Sequence, residues 1–160
     1  MSSTERRASG FTVVELLAVL ILAGVVAVVA LPKLDVIDRL GADGWREQTV
    51  AGLRLAQATA LGHRRLVCAS FDASGLLHLR VAAGNPAIDC SADLRGPDGS
   101  NRFGSTPPGA AVAVQPAGTL YFQPSGQVSA DGAGGNVGGR EISISGTRSI
   151  FVAGQSGHVE

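Results

Sequence analysis

The chain has 160 residues, enough for one compact domain and a tethering element, and its thirteen basic and thirteen acidic residues cancel to a formal charge of zero. This balance supplies no broad cationic field, so strong nonspecific binding to nucleic acid is not expected of the whole chain. Its 22 glycines, against one tryptophan, one tyrosine and five phenylalanines, point to short strands and tight turns around a modest core.

Arg6 and Arg7 precede an apolar run from Phe11 to Leu31 that contains a single carboxylate, Glu15. As a helix this run extends about 30 Å, enough to cross the hydrocarbon core of a bilayer. The two arginines favour an N-terminus in the cytoplasm and export of the chain beyond the run. Ala27-Val28-Val29-Ala30-Leu31 makes a weak signal-peptidase site, and the run is longer than an ordinary signal core. A retained anchor is therefore expected. Within it, Glu15 is the anomaly: a carboxylate at a bilayer centre costs about 2.5–3.5 kcal/mol, less near an end, and usually marks a function. An acid in a first helical turn also suits the helix dipole.

Gly10-Phe11-Thr12-Val13-Val14-Glu15-Leu16-Leu17 resembles the prepilin signature of type IV pilins and type II secretion pseudopilins. That signature is a short basic leader, a glycine, a phenylalanine, a glutamate four residues later and an apolar helix; Pro32 also fits it. The resemblance implies cleavage between Gly10 and Phe11 by a prepilin peptidase at the cytoplasmic face, then N-methylation of Phe11. It gives Glu15 a task in setting filament register, by pairing with the cationic N-terminus of Phe11 on a neighbouring subunit. Losing one partner of such a buried pair is expensive, which disfavours misregistered subunits.

From Lys33 to about Arg65 the pattern becomes amphipathic. Val50, Leu53, Gln57, Ala60 and Leu61 fall roughly on one face and Arg46, Glu47 and Arg54 elsewhere, as the second half of one long helix. Pro32, Gly41 and Gly44 admit a bend. Trp45 is expected to anchor the core.

Strands come next. Arg65–Phe71 and Leu76–Val81 flank Asp72-Ala73-Ser74-Gly75, a hairpin loop. Period-two alternation recurs at Val112 and Val114, at Leu120 and Phe122, at Ile142 and Ile144, and at Ile150 and Val152, with turns at Pro124-Ser125-Gly126 and Gly146-Thr147. Arg95–Gly109 and Ser129–Gly139 read as exposed loops. The only cysteines are Cys68 and Cys90. Outside the cytoplasm this pair is expected to form one disulfide, the alternative being two unrelated buried thiols.

The expected fold class is α+β: a long N-terminal helix, membrane-spanning in its first half, packed on a C-terminal antiparallel body. The expected segments are a cleaved leader (1–10), a transmembrane or filament-core helix (11–32), its amphipathic second half (33–65) and a β-rich periplasmic body (66–160). A strand ending in Phe-x-Pro-x-Gly (Phe122 to Gly126), a glycine-rich loop, Ile-Ser-Ile, Arg-Ser-Ile-Phe-Val and a final Gly-x-Val are similar to the C-terminal half of the GspH/FimT family of minor pilins and pseudopilins. This resemblance implies two small sheets against the helix, sibling pilins or pseudopilins as partners, an inner-membrane location with the body in the periplasm, and a place in a priming or tip complex.

Catalytic chemistry has little support. His63, His78 and His158 are scattered, and Gly154-Gln155-Ser156-Gly157 does not make a Gly-x-Ser-x-Gly elbow. No cofactor or metal is expected: Asp131 to Asn136 offers one carboxylate among glycines, too few oxygen ligands for calcium. Some FimT-type pilins act as DNA receptors through a C-terminal Gly-Arg-x-Arg motif. Here the corresponding place reads Gly157-His158-Val159-Glu160, with a histidine and an acid where the arginines belong. Arg140 and Arg148 are the residues left to contact phosphate, although both read more simply as solvated hairpin ends. A DNA-uptake pilin and a membrane-tethered binding module are the alternatives to a structural assembly subunit.

Overall fold

The computed structural model describes residues 12–104 and 111–160, and of 28–39 the backbone alone. By its internal contacts the chain divides into two units, Met1–Ile37 and Asp38–Glu160. One helix, α1 (Val13–His63), supplies residues to both and continues as a single element through Gly41 and Gly44. It ends at Arg64, whose φ of 53° puts a non-glycine residue in the left-handed conformation that commonly closes helices.

Among the described residues of the second unit there are nine strands: β1 (Val67–Phe71), β2 (Leu77–Val81), β3 (Ala92–Asp93), β4 (Arg102–Phe103), β5 (Val112–Gln115), β6 (Leu120–Phe122), β7 (Val128–Ser129), β8 (Arg140–Ile144) and β9 (Ile150–Val152). They form two antiparallel sheets. The first runs β3-β2-β1-β6-β7 with β4 also paired to β2, and the second runs β5-β8-β9. This is the expected α+β arrangement with two small sheets.

The helix meets the sheets along Trp45, Thr49, Leu53, Ala56 and Ala60, a stripe at spacings of three and four whose members are all fully buried. Val67, Ala69, Leu77, Leu79, Leu120 and Phe122 of the first sheet join Trp45, Leu53, Ala56 and Ala60 in one core with Ile142, Ile144, Ile150 and Val152 of the second. Each fully buried large apolar side chain contributes about 1.5–3 kcal/mol. Trp45 is the anchor expected: its ring lies 6.3 Å from that of Phe71, and its Nε1–H donates to Gly75 O at 2.9 Å in the β1–β2 turn. Leu61, expected on the buried face, is 46 % exposed. It sits just beyond the stripe, where its side chain covers Gly126 instead.

Small residues let other elements approach the helix closely. A Cβ added at Gly52 would lie 2.8 Å from Phe103 Cγ and 2.9 Å from Leu77 Cδ2. Phe103 thus seats in a notch of α1, which brings β4 into contact with the core. The expectation of an exposed loop over 95–109 is therefore corrected at its centre: β4 pairs with β2 through Leu77↔Phe103 and His78↔Arg102, and Gly104 is buried against Trp45 and Thr49. Residues 105–109 lie outside the described residues. Over 129–139 a similar correction applies at one end, because Ser129 is fully buried in β7 and its Oγ donates to Asp131 O at 2.7 Å.

Candidate assembly surface

Thr12 caps the start of α1. Its Oγ1 accepts the Glu15 N–H at 3.3 Å, and its carbonyl accepts the Leu16 N–H at 3.1 Å. Thr12-Val13-Val14-Glu15 is the Thr-x-x-Glu spacing of a capping box, with Glu15 at the third helical position, where the positive end of the helix dipole favours a carboxylate. This spacing is readable in the sequence, and it identifies Thr12 as a residue that sets the helix start beside Glu15. Gly10 and Phe11, the expected cleavage and methylation positions, lie outside the described residues.

From Thr12 to Ala27 every side chain is exposed, and Glu15 is the only charged residue in that stretch. Ten large apolar side chains, from Val13 and Val14 to Val25 and Val26, are 55–83 % exposed. Covering them is worth on the order of 10–20 kcal/mol by the usual transfer scale, and an apolar surface of this extent marks an interaction site. Among the described residues no helix is long and apolar enough to cross a membrane; Phe11 and the side chains of 28–31 in the apolar run fall outside that description.

Cys68 and Cys90 are bonded to each other, with Cα atoms 6.1 Å apart. The bond ties β1, at the centre of the first sheet, to the segment that links β2 and β3. That tied segment lies directly over the glycine-rich loop, because a Cβ at Gly132 would collide with the backbone carbonyl of Ile88.

Arg140 and Arg148 are not brought together. Continued past Ile142↔Ile150, the β8–β9 register sets Arg148 level with Ile144, four residues or roughly 13 Å along the sheet from Arg140. Arg140 is in phase with Ile142 and Ile144 and only 5 % exposed, contrary to the solvated hairpin end expected. Its Nη1 donates to Gly139 O at 3.2 Å, while its Nε has no hydrogen-bond partner among the described residues. Arg148 is exposed, and its carbonyl accepts Arg46 Nε at 3.2 Å.

Two carboxylates organise loops. Asp131 accepts the backbone N–H groups of Gly135 at 3.0 Å and Asn136 at 2.8 Å, and these bonds hold its carboxyl below the usual range. Its oxygens are thus engaged by the loop itself. Asp72 accepts from Ser74 Oγ at 2.6 Å and Ser74 N at 2.8 Å, and pairs with His78 Nε2 at 2.8 Å. The Ser74 hydroxyl first, then His78, hold its carboxyl far below the ordinary carboxylate value. Among the described residues no three His, Cys, Asp or Glu side chains gather into a metal-binding group.

No family model matches the sequence, and no curated protein does. Solved structures do match the fold. The type IV minor pilin FimU of Pseudomonas aeruginosa aligns with a TM-score of 0.54 at 16 % identity, over 76 % of this chain and 88 % of that one. The minor pseudopilin EpsH from the Type 2 Secretion System of Vibrio cholerae aligns with a TM-score of 0.50 at 13 % identity, over 75 % of this chain and 94 % of that one. The helix, the two antiparallel sheets and their packing give this chain the fold of minor pilins and minor pseudopilins.

Proposed function

We propose that the chain is a non-enzymatic assembly subunit, a minor pilin or pseudopilin that enters or primes a type IV pilus or a type II secretion pseudopilus. The observation that carries this reading is the exposed apolar stretch of α1 with Glu15 as its lone charge, on a chain that has the minor pilin fold. Such a helix needs a lipid or protein environment, and an acid in that environment needs a cationic partner.

In this reading residues 1–10 are a leader removed at Gly10-Phe11, and Phe11 becomes the N-methylated first residue. Residues 11–32 hold the subunit in the bacterial inner membrane and later pack in the filament core. Residues 33–65 continue the helix onto the body, and 66–160 form that body in the periplasm. Prepilin peptidase and sibling pilins or pseudopilins are the partners, and Glu15 sets axial register against the Phe11 amine of a neighbour. Thr12 supports this geometry by fixing the turn in which Glu15 sits. No contact with DNA is included, since Arg140 is buried and Arg148 stands apart from it.

Two measurements test the proposal. Mass spectrometry of the mature chain is expected to find methylated Phe11 at its N-terminus. Glu15→Ala is expected to abolish incorporation into filaments while leaving membrane insertion intact. An uncleaved Met1 in a host with active prepilin peptidase, or a Glu15→Ala subunit that assembles normally, overturns it.

A further inference from the structure

The disulfide lies on the outward face of the first sheet. Val67 and Ala69 point into the core, so Cys68 between them faces outward, where it is half-buried. Arg80 of β2 stands directly opposite Cys68 on one side and Tyr121 of β6 on the other, with Asp93 of β3 beyond Arg80. Cys90 is half-buried as well. Both cysteines line one surface cleft of about 320 Å³, together with Arg80, Asp89 and Tyr121. A bond that only braces a core is shielded from thiols, whereas this one borders a polar cleft with a cation in its wall, the setting in which cysteine sulfur reacts.

The two sulfurs have different surroundings. Cys90 Sγ lies 3.7 Å from Leu66 O, and Asp89, its neighbour in the chain, shares the cleft. A carbonyl oxygen and a carboxylate both disfavour negative charge at Cys90. Arg80, cross-strand from Cys68, is held in place by donation from its Nη2 to Ser91 O at 3.2 Å. Asp93 approaches Arg80 Nε only to 3.9 Å, and both side chains are half-exposed, so the guanidinium keeps most of its field at Cys68. Exchange is faster when the departing sulfur is the better-stabilised thiolate. Cys68 is therefore the leaving group and Cys90 the sulfur attacked.

We infer that Cys68–Cys90 is a thiol–disulfide exchange site, open to direct attack in the folded body, and that its reaction partner is a dithiol of the Cys-x-x-Cys class. A thiolate of the dithiol forms a bond to Cys90 Sγ; the Cys68–Cys90 bond breaks, and its electron pair leaves on Cys68, which takes a proton from water. The second thiol of the partner, as thiolate, then attacks its own sulfur in the mixed disulfide. That step oxidises the partner to a disulfide and releases Cys90, which is protonated and free to donate to Leu66 O. Two electrons and two protons pass from the dithiol to the cysteine pair. Reduction unties the segment that lies over Gly132 from β1, while the Ala82–Leu66 bond and the β1–β2 pairing stay in place. The site belongs wholly to the second unit and does not depend on the apolar helix.

The test is reduction of the full-length chain in detergent by dithiothreitol at neutral pH, quenched with iodoacetamide and read by mass spectrometry, with far-UV circular dichroism on the same samples. The rate is expected to be first order in dithiothreitol and the same with and without about 1 M urea, the circular dichroism being retained throughout. A bond reached only through unfolding would react about fivefold faster or more in that urea. Arg80→Gln is expected to slow the reaction about threefold, and Arg80→Lys to restore it, because a nearby cation lowers the leaving thiol's pKa. With the monothiol glutathione in place of dithiothreitol, the trapped intermediate is expected to carry glutathione on Cys90 and carbamidomethyl on Cys68. A folded wild-type chain that resists about 10 mM dithiothreitol for a day, a rate that climbs fivefold in urea, an Arg80→Gln chain reduced as fast as wild type, or glutathione absent from Cys90 overturns the inference.

Discussion

Replacing Cys68 and Cys90 together by serine isolates the contribution of the disulfide. The bond closes a loop of 22 residues. In the chain-entropy account such a closure removes about 11 cal/mol/K from the unfolded ensemble, or about 3.4 kcal/mol at 25 °C. The folded unit Asp38–Glu160 has roughly 120 residues, and at about 2.1 cal/mol/K each its unfolding entropy is about 0.25 kcal/mol/K. The melting temperature of the double variant should therefore fall by about 13 °C. Thermal melts followed by far-UV circular dichroism measure this directly, on variant and wild type in parallel at neutral pH. The reasoning also says where the loss acts: the native sheet should persist, so the Ala82 amide, bonded to Leu66 O at 2.9 Å, should stay protected from exchange below the melt. A fall of less than about 4 °C, or an unprotected Ala82 amide in an otherwise folded variant, would refute the entropic account.

Loop geometry sets two further outcomes. Gly132→Ala drives a methyl group into the Ile88 carbonyl, so the disulfide-tied segment must lift; denaturant titration should show a loss of about 1–3 kcal/mol, and an unchanged midpoint contradicts the close packing described. Asp72→Ala removes a carboxylate whose titration is displaced downward by Ser74 and His78. A depressed acid stabilises the fold above its unfolded value of about 3.9 and loses that effect as the pH falls through its folded value. The gap in melting temperature between wild type and Asp72→Ala should therefore hold near neutrality and narrow below about pH 4, whereas a gap that widens in acid contradicts the assignment.

The strands legible in the sequence are those long enough to show a period. Val67–Phe71 and Leu77–Val81 declare themselves by alternation on either side of the Asp72-Ala73-Ser74-Gly75 turn, and Ile142/Ile144 and Ile150/Val152 do the same later in the chain. β3, β4 and β7 have two residues each, which is too few for any pattern to register. They exist because their neighbours hold them, β4 through Phe103 in the Gly52 notch and β7 through the buried Ser129. Arg140 misleads for a different reason. Its charge suggests solvent, but its phase with Ile142 and Ile144 places it on the inner side, and phase prevails over residue type in a strand with one buried face. Around the candidate assembly surface the carboxylate is conspicuous because nothing else in the run is charged. The Thr12 cap is equally present in the spacing, yet reads as one more small residue until its hydroxyl is seen to accept the Glu15 amide.

The notch at Gly52 has a mechanical consequence. Phe103 and Leu77 occupy the space where a side chain would stand, so α1 is keyed to the first sheet like a shaft to a hub. It can neither slide by a turn nor rotate without forcing an aromatic ring out of its slot. Load applied along the helix of the second unit is passed through Phe103 to the β2–β4 pairing, whose backbone bonds share it rather than a single side chain. Within the second unit, the helix and the first sheet therefore move together under such a load.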